Sequence, residues 1–184
     1  MKLRIFTITF LMVLLSGCVA TWVQVKQPET ISPEKTFAAK LPEGWMQYLN
    51  DQDVILITRD GLALQTIALR RRDLKQAFGN INKDAEIGML AAELAELYIA
   101  DAMKSDSTEN ITVVENRPAT ISHQSSFRLH LTYTNTKGLG FERIVYGFVT
   151  EKGFFTLVYE APTRYHFRRY LGKFESIVAS FRQV

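Results

Sequence analysis

Cysteine is nearly missing from this chain: one occurs in 184 residues, at Cys18, together with only three histidines and five prolines. A single thiol excludes an intramolecular disulfide and a multi-cysteine zinc cluster. His123, His130 and His166 contain no i,i+4 pair and no His-Glu-x-x-His pattern, so no metal is expected. Ser125 and Ser126 stand close to His123, yet no GxSxG elbow surrounds them. Gly138-Leu139-Gly140 lacks the remainder of a GxGxxG fingerprint and reads as a turn. Glu93 and Glu96 would be neighbours on a helix, and they read as a solvated face rather than an acid–base pair. Low-complexity tracts and internal repeats are missing as well. No catalytic signature remains, so the chain is expected to be non-enzymatic and to need no cofactor.

The chain does carry a leader-like N-terminus. Lys2 and Arg4 precede an apolar run from Ile5 to Leu15, and Leu15-Ser16-Gly17-Cys18 follows at once. This order resembles a bacterial lipoprotein signal peptide with its lipobox. The resemblance implies a diacylglycerol thioether on Cys18, cleavage just before it and acylation of the freed amino group. Val19 stands where an aspartate often marks inner-membrane retention, so the resemblance implies an outer-membrane anchor facing the periplasm. The competing reading is an uncleaved helix over residues 5–23, a charge-free stretch close to the length that spans a bilayer. Lipidation needs the Cys18 sulfur and a spanning helix does not. Loss of residues 1–17 removes two of the 22 basic residues and leaves 20 against 19 acidic ones. A nearly neutral chain gives no support to general nucleic-acid binding.

Residues 18–35, with Pro28 and Pro33, read as the lipidated cysteine and a tether reaching at most about 50–60 Å. Trp22-Val23-Gln24-Val25 alternates weakly and could instead add an edge strand. Residues 36–184 read as one domain. Val54–Arg59 and Leu62–Arg70 predict two strands joined by a two-residue Asp60-Gly61 hairpin turn. Helical spacing of Ile87, Leu90, Leu94, Leu97 and Tyr98 predicts a helix over Asp84–Lys104. Asn116-Arg117-Pro118 predicts a turn between two short strands. Ser125–Thr134 alternates, with Phe127, Leu129, Leu131 and Tyr133 on one face. Strands over Phe141–Thr150 and Phe154–Ala161 follow, then a helix over Thr163–Phe181. The class is α+β, an antiparallel meander covered by helices.

The stretch Leu41-Pro42-Glu43-Gly44-Trp45, the hairpin at Asp60-Gly61, the middle helix, the meander and the closing Phe174–Phe181 segment together resemble the PsbP-like fold. That fold belongs to an extrinsic photosystem II subunit, a Ran-binding nuclear import factor and bacterial envelope lipoproteins. The resemblance covers about Phe37 to Arg182 and brings no catalytic motif with it. It implies a non-catalytic interaction module with an envelope protein partner. The alternative is a carrier or sensor of a small amphipathic ligand held between helix and sheet. The candidate interaction residues are Arg70 and Arg72, which strand alternation places on one face with Arg71 opposite, and Arg164, Arg168 and Arg169 around the last helix. They read either as a patch for an anionic partner or as a solvated rim paired with local acids.

Overall fold

A computed structural model describes residues 22–49 and 53–184. Its β-branched and aromatic runs form strands β1 (Trp22–Gln24), β2 (Glu29–Ile31), β3 (Phe37–Lys40), β4 (Met46–Tyr48), β5 (Val54–Thr58) and β6 (Thr66–Arg72). After a 3-10 turn at Gly79–Ile81 come helix α1 (Ala91–Met103), strands β7 (Thr108–Ile121), β8 (Gln124–Asn135), β9 (Gly140–Thr150) and β10 (Gly153–Pro162), helix α2 (His166–Ser180) and a short β11 (Arg182–Gln183). The main sheet is antiparallel throughout, in the order β1-β4-β5-β6-β10-β9-β8-β7, and β11-β3-β2 form a second sheet.

Alternation gives the main sheet two apolar faces, and each takes one helix. Phe127, Leu129 and Leu131 of β8 pack with Val145, Phe154 and the α1 residues Leu94, Ala95 and Tyr98. Ile67, Leu69, Leu157 and Tyr159 face the other way, onto Phe167, Tyr170, Phe174 and Ile177 of α2. The small sheet completes that second layer: Phe37 of β3 stacks on Phe181 at 5.5 Å and meets Phe155 edge-on at 6.1 Å. The expected α+β class and the alternation of β8 are both present.

Four local expectations change. Asp60-Gly61 does not make a two-residue hairpin. Gly61 takes the left-handed backbone, φ +108°, but Thr58 Oγ1 accepts its N–H at 3.0 Å and donates to the Gln65 carbonyl at 2.7 Å. The seven residues 59–65 therefore close as a self-bonded loop, and β6 begins only at Thr66. The middle helix starts at Ala91 rather than Asp84, because Gly88 has φ +92° and the Glu93 carboxylate caps the chain by accepting the Leu90 N–H at 2.8 Å. Ile87 and Leu90 consequently lie outside the buried stripe, 61% and 67% exposed. Asn116-Arg117-Pro118 does not turn the chain but runs through β7, with Pro118 opposite Phe127. An edge strand is bonded on one side only, so it tolerates the missing N–H. Finally, within the expected tether the edge-strand alternative holds at Trp22–Gln24, as β1 against β4, and β2 pairs with β3.

The close approach at Gly147 is a test of this packing. A Cβ there would lie 2.4 Å from Cζ of Phe127, its register partner, and Phe127 is itself fully buried. Gly147→Ala is expected to cost about 1–3 kcal/mol of stability, read from the urea-unfolding midpoint.

Candidate functional site

Because Ile67 and Leu69 of β6 are committed to the α2 core, Thr66, Ala68, Arg70 and Arg72 must face the α1 side. Register extends this row across the sheet. Thr156, Val158 and Glu160 of β10 stand opposite Arg70, Ala68 and Thr66, and Arg143 of β9 stands opposite Glu160. Helix α1 packs over β7, β8 and β9 and Phe78 covers Phe154 of β10, which leaves a gap beside the helix along the rest of the β6–β10 strip. The result is a cleft of about 320 Å³ between sheet and helix, completed by Asn80, Tyr98, Asp101, Ser105 and Ser107.

The cleft holds charges in unequal states of compensation. Arg143 is held by Glu160, with Nη2 and Nε donating to Oε2 at 2.6 and 2.8 Å, and its guanidinium lies 4.8 Å from the centre of the Tyr133 ring. The Tyr133 hydroxyl donates to the same carboxylate at 3.1 Å. Burial alone would lower the Arg143 pKa, but Tyr98 and Glu160 outweigh it and hold the pKa above the ordinary arginine value. Asp101, 8% exposed, accepts the Asn80 backbone N–H at 2.7 Å. Arg72 donates to the Ala77 carbonyl at 2.8 Å, and burial, with the neighbouring Arg70 charge, lowers its pKa from the usual value. Among the described residues, the half-buried Arg70 guanidinium has no ion pair and no hydrogen bond. Three arginines thus share the cleft with two carboxylates: Arg143 is in an ion pair, Arg72 is held by a carbonyl, and Arg70 has neither among the described residues.

The five arginines singled out from the sequence do not converge. Arg70 and Arg72 lie in the cleft, whereas Arg164, Arg168 and Arg169 are exposed around α2, on the opposite face of the main sheet. Arg169 is occupied locally, donating to the Tyr165 hydroxyl at 2.9 Å and lying 5.1 Å from the Tyr170 ring. Arg71 points away from Arg70 and Arg72, bonding Glu34 at 2.9 Å and Asp73 at 2.7 Å. The histidines are also apart. His130 Nε2 bonds Glu142 at 2.7 Å under a stacked Phe167, His166 Nδ1 lies 3.5 Å from Asp60 without a hydrogen bond, and His123 sits in an exposed turn. Among the described residues no three metal-ligating side chains gather. Cys18 lies outside the described residues. Sequence reasoning did not single out Arg143, Asp101 or Tyr98. The charged pair Glu142-Arg143 near the start of a largely apolar strand was the available signal, but only register shows that Arg143 meets Glu160.

No family model and no curated protein matches this chain. Solved structures match its fold. The Saccharomyces cerevisiae Ran-binding protein Mog1 is 8% identical, with a TM-score of 0.58 over 85% of this chain and 95% of that one. The cyanobacterial PsbP of Synechocystis is 11% identical, with a TM-score of 0.51 over 92% and 99%. A Pseudomonas aeruginosa protein of unknown function, described as a putative regulator, is 11% identical, with a TM-score of 0.51 over 77% and 88%. The chain has the Mog1/PsbP-like α+β fold.

Glu160→Gln strips Arg143 of its counter-charge in a half-buried setting. It is expected to lower stability by about 1–3 kcal/mol in chemical denaturation, and Arg143→Met in the same background should recover part of that loss.

Proposed function

We propose that this protein is a non-catalytic interaction module, lipid-anchored through Cys18 to the bacterial outer membrane and facing the periplasm, that grips an acidic group of an envelope protein in the cleft between α1 and the sheet. One observation carries the reading: Arg70, unpaired among the described residues, stands beside Arg72 in a partly desolvated cleft. A carboxylate entering there gains charge-assisted bonds from a donor that gives up no existing ion pair. The leader and lipobox pattern of residues 2–18 supports the anchor, and the Ran-binding yeast protein is a precedent for this fold serving protein recognition. The rival, a carrier of a small amphipathic ligand, places its ligand in the same gap between helix and sheet. Such ligands are usually met by a mostly apolar lining, whereas charged and hydroxyl groups dominate here.

Crosslinking in intact cells followed by pull-down tests the module. The expected result is one stoichiometric protein partner, with recovery falling several-fold for Arg70→Glu and unchanged for Arg168→Glu on the opposite face. A single co-purified small molecule and no protein partner would favour the carrier instead. For the anchor, Cys18→Ser is expected to abolish acyl labelling and to block processing of the leader. Membrane attachment and processing that survive the substitution would point to a spanning helix.

A further inference from the structure

We propose that the end of the main sheet carrying Arg72 lies on the phospholipid surface, with the exposed side chains of Ile87 and Leu90 seated in it. This rests on the lipidation of Cys18 proposed above. Register sets the geometry. Trp22 pairs with Tyr48, Tyr48 with Leu56 and Leu56 with Ala68, so Trp22 is level with Ala68 of β6. Strand β1 is antiparallel to β4 and parallel in direction to β5, so it runs away from the Arg72 end, and its first residue, Trp22, is the one nearest that end. Cys18 precedes Trp22 by four residues and lies at most about 14 Å from it. Arg72 is four residues beyond Ala68 on β6, so four fully extended residues ahead of Trp22 span no further than about the rim of the sheet there. In the other direction the β8–β9 turn is out of range. Val145 is level with Ala68 through Val158, and β9 begins five residues away at Gly140, about 17 Å along the strand.

The start of α1 falls at the same end. Ala91 and Ala92 share a hollow with Pro118 and Phe127, and Phe127 is level with Arg70 through Gly147 and Thr156. The last turn of the helix lies at the opposite end, where the Ala102 carbonyl accepts the Thr108 hydroxyl at 3.0 Å. Leu90 and Ile87 therefore project from the Arg72 end, and Gly88 and the Glu93 cap keep them out of the core. Scattered exposed apolar residues are ordinary on any protein. These two differ in standing at the end of the sheet nearest Trp22, on the β7–β8 side across the sheet from β1. Lys75 and Lys83 border the adjacent hollow together with Asp84 and Glu86, so the local charges cancel and the contact is apolar rather than electrostatic.

The thiol of a lipidated Cys18 is consumed, and no other cysteine exists, so an introduced cysteine is the only free thiol of the mature protein. The acylated full-length protein, carrying Ile87→Cys, Leu90→Cys or, at the far turn, Lys137→Cys, is labelled with a fluorophore. It is then reconstituted in phosphatidylethanolamine–phosphatidylglycerol vesicles with brominated acyl chains. Quenching is expected to be several-fold stronger at positions 87 and 90 than at 137, and to be unchanged by added salt. Equal quenching at the two ends, in protein shown by mass spectrometry to be acylated, overturns this inference and leaves the anchor standing. Absence of the diacylglycerol from Cys18 overturns the anchor, and the inference falls with it.

Discussion

The hydroxyl of Tyr159, at the centre of β10 and fully buried, lies 2.8 Å from the His166 carbonyl and 2.9 Å from that of Phe167, and shares its proton between them. Its ring stacks on Phe167 at 5.4 Å and on Phe174 at 5.7 Å. One side chain thus ties the first turn of α2 to the middle of the sheet by apolar and polar contact together. Burial, and then the nearby Tyr170, raise its pKa, so the proton needed for both contacts stays in place. With α2 seated there, Ile67, Leu69 and Leu157 belong to that layer. The period of two then leaves Arg70, Arg72 and Thr156 no choice but the opposite face.

The two faces are closed to different extents. On the α2 side a second sheet and a polar network finish the layer. Arg128 reaches the Tyr146 hydroxyl at 3.0 Å and Glu175 of α2 at 3.3 Å, and it also bonds Glu115 of the edge strand. On the α1 side one helix of 13 residues covers only the β7–β9 half. The gap left beside the helix is the cleft, and its charges are tolerable because water still reaches them. Arg143 and Glu160 retain 16% and 28% of their side-chain exposure. A second helix on this face would have forced full desolvation of three guanidiniums.

How far the sequence could be read depended on how local the deciding contact is. The alternation of Phe127, Leu129, Leu131 and Tyr133 is a single-strand property, and β8 shows it residue by residue. The Asp60-Gly61 signal correctly marked a reversal but not its length, because the Thr58 hydroxyl draws in Gln65 from seven residues away. The hydrophobic spacing of Ile87 and Leu90 suited a helix, and one glycine with positive φ was enough to stop it. The weak alternation of Trp22–Val25 left tether and edge strand both open, and β4 decides for the strand by supplying the partner.

The sequence alone determined the α+β class, the two faces of β8, the opposition of Arg71 to Arg70 and Arg72, and the leader-like pattern of residues 2–18 from which attachment through Cys18 is proposed. Those features need only neighbouring residues, since apolar period and motif order are written along the chain. Tertiary structure decided which arginines share a cleft, that Arg143 and Glu160 meet within it, and how little chain separates Cys18 from the folded domain. These depend on the register of strands far apart in sequence and on which face each helix covers, and no local pattern encodes either.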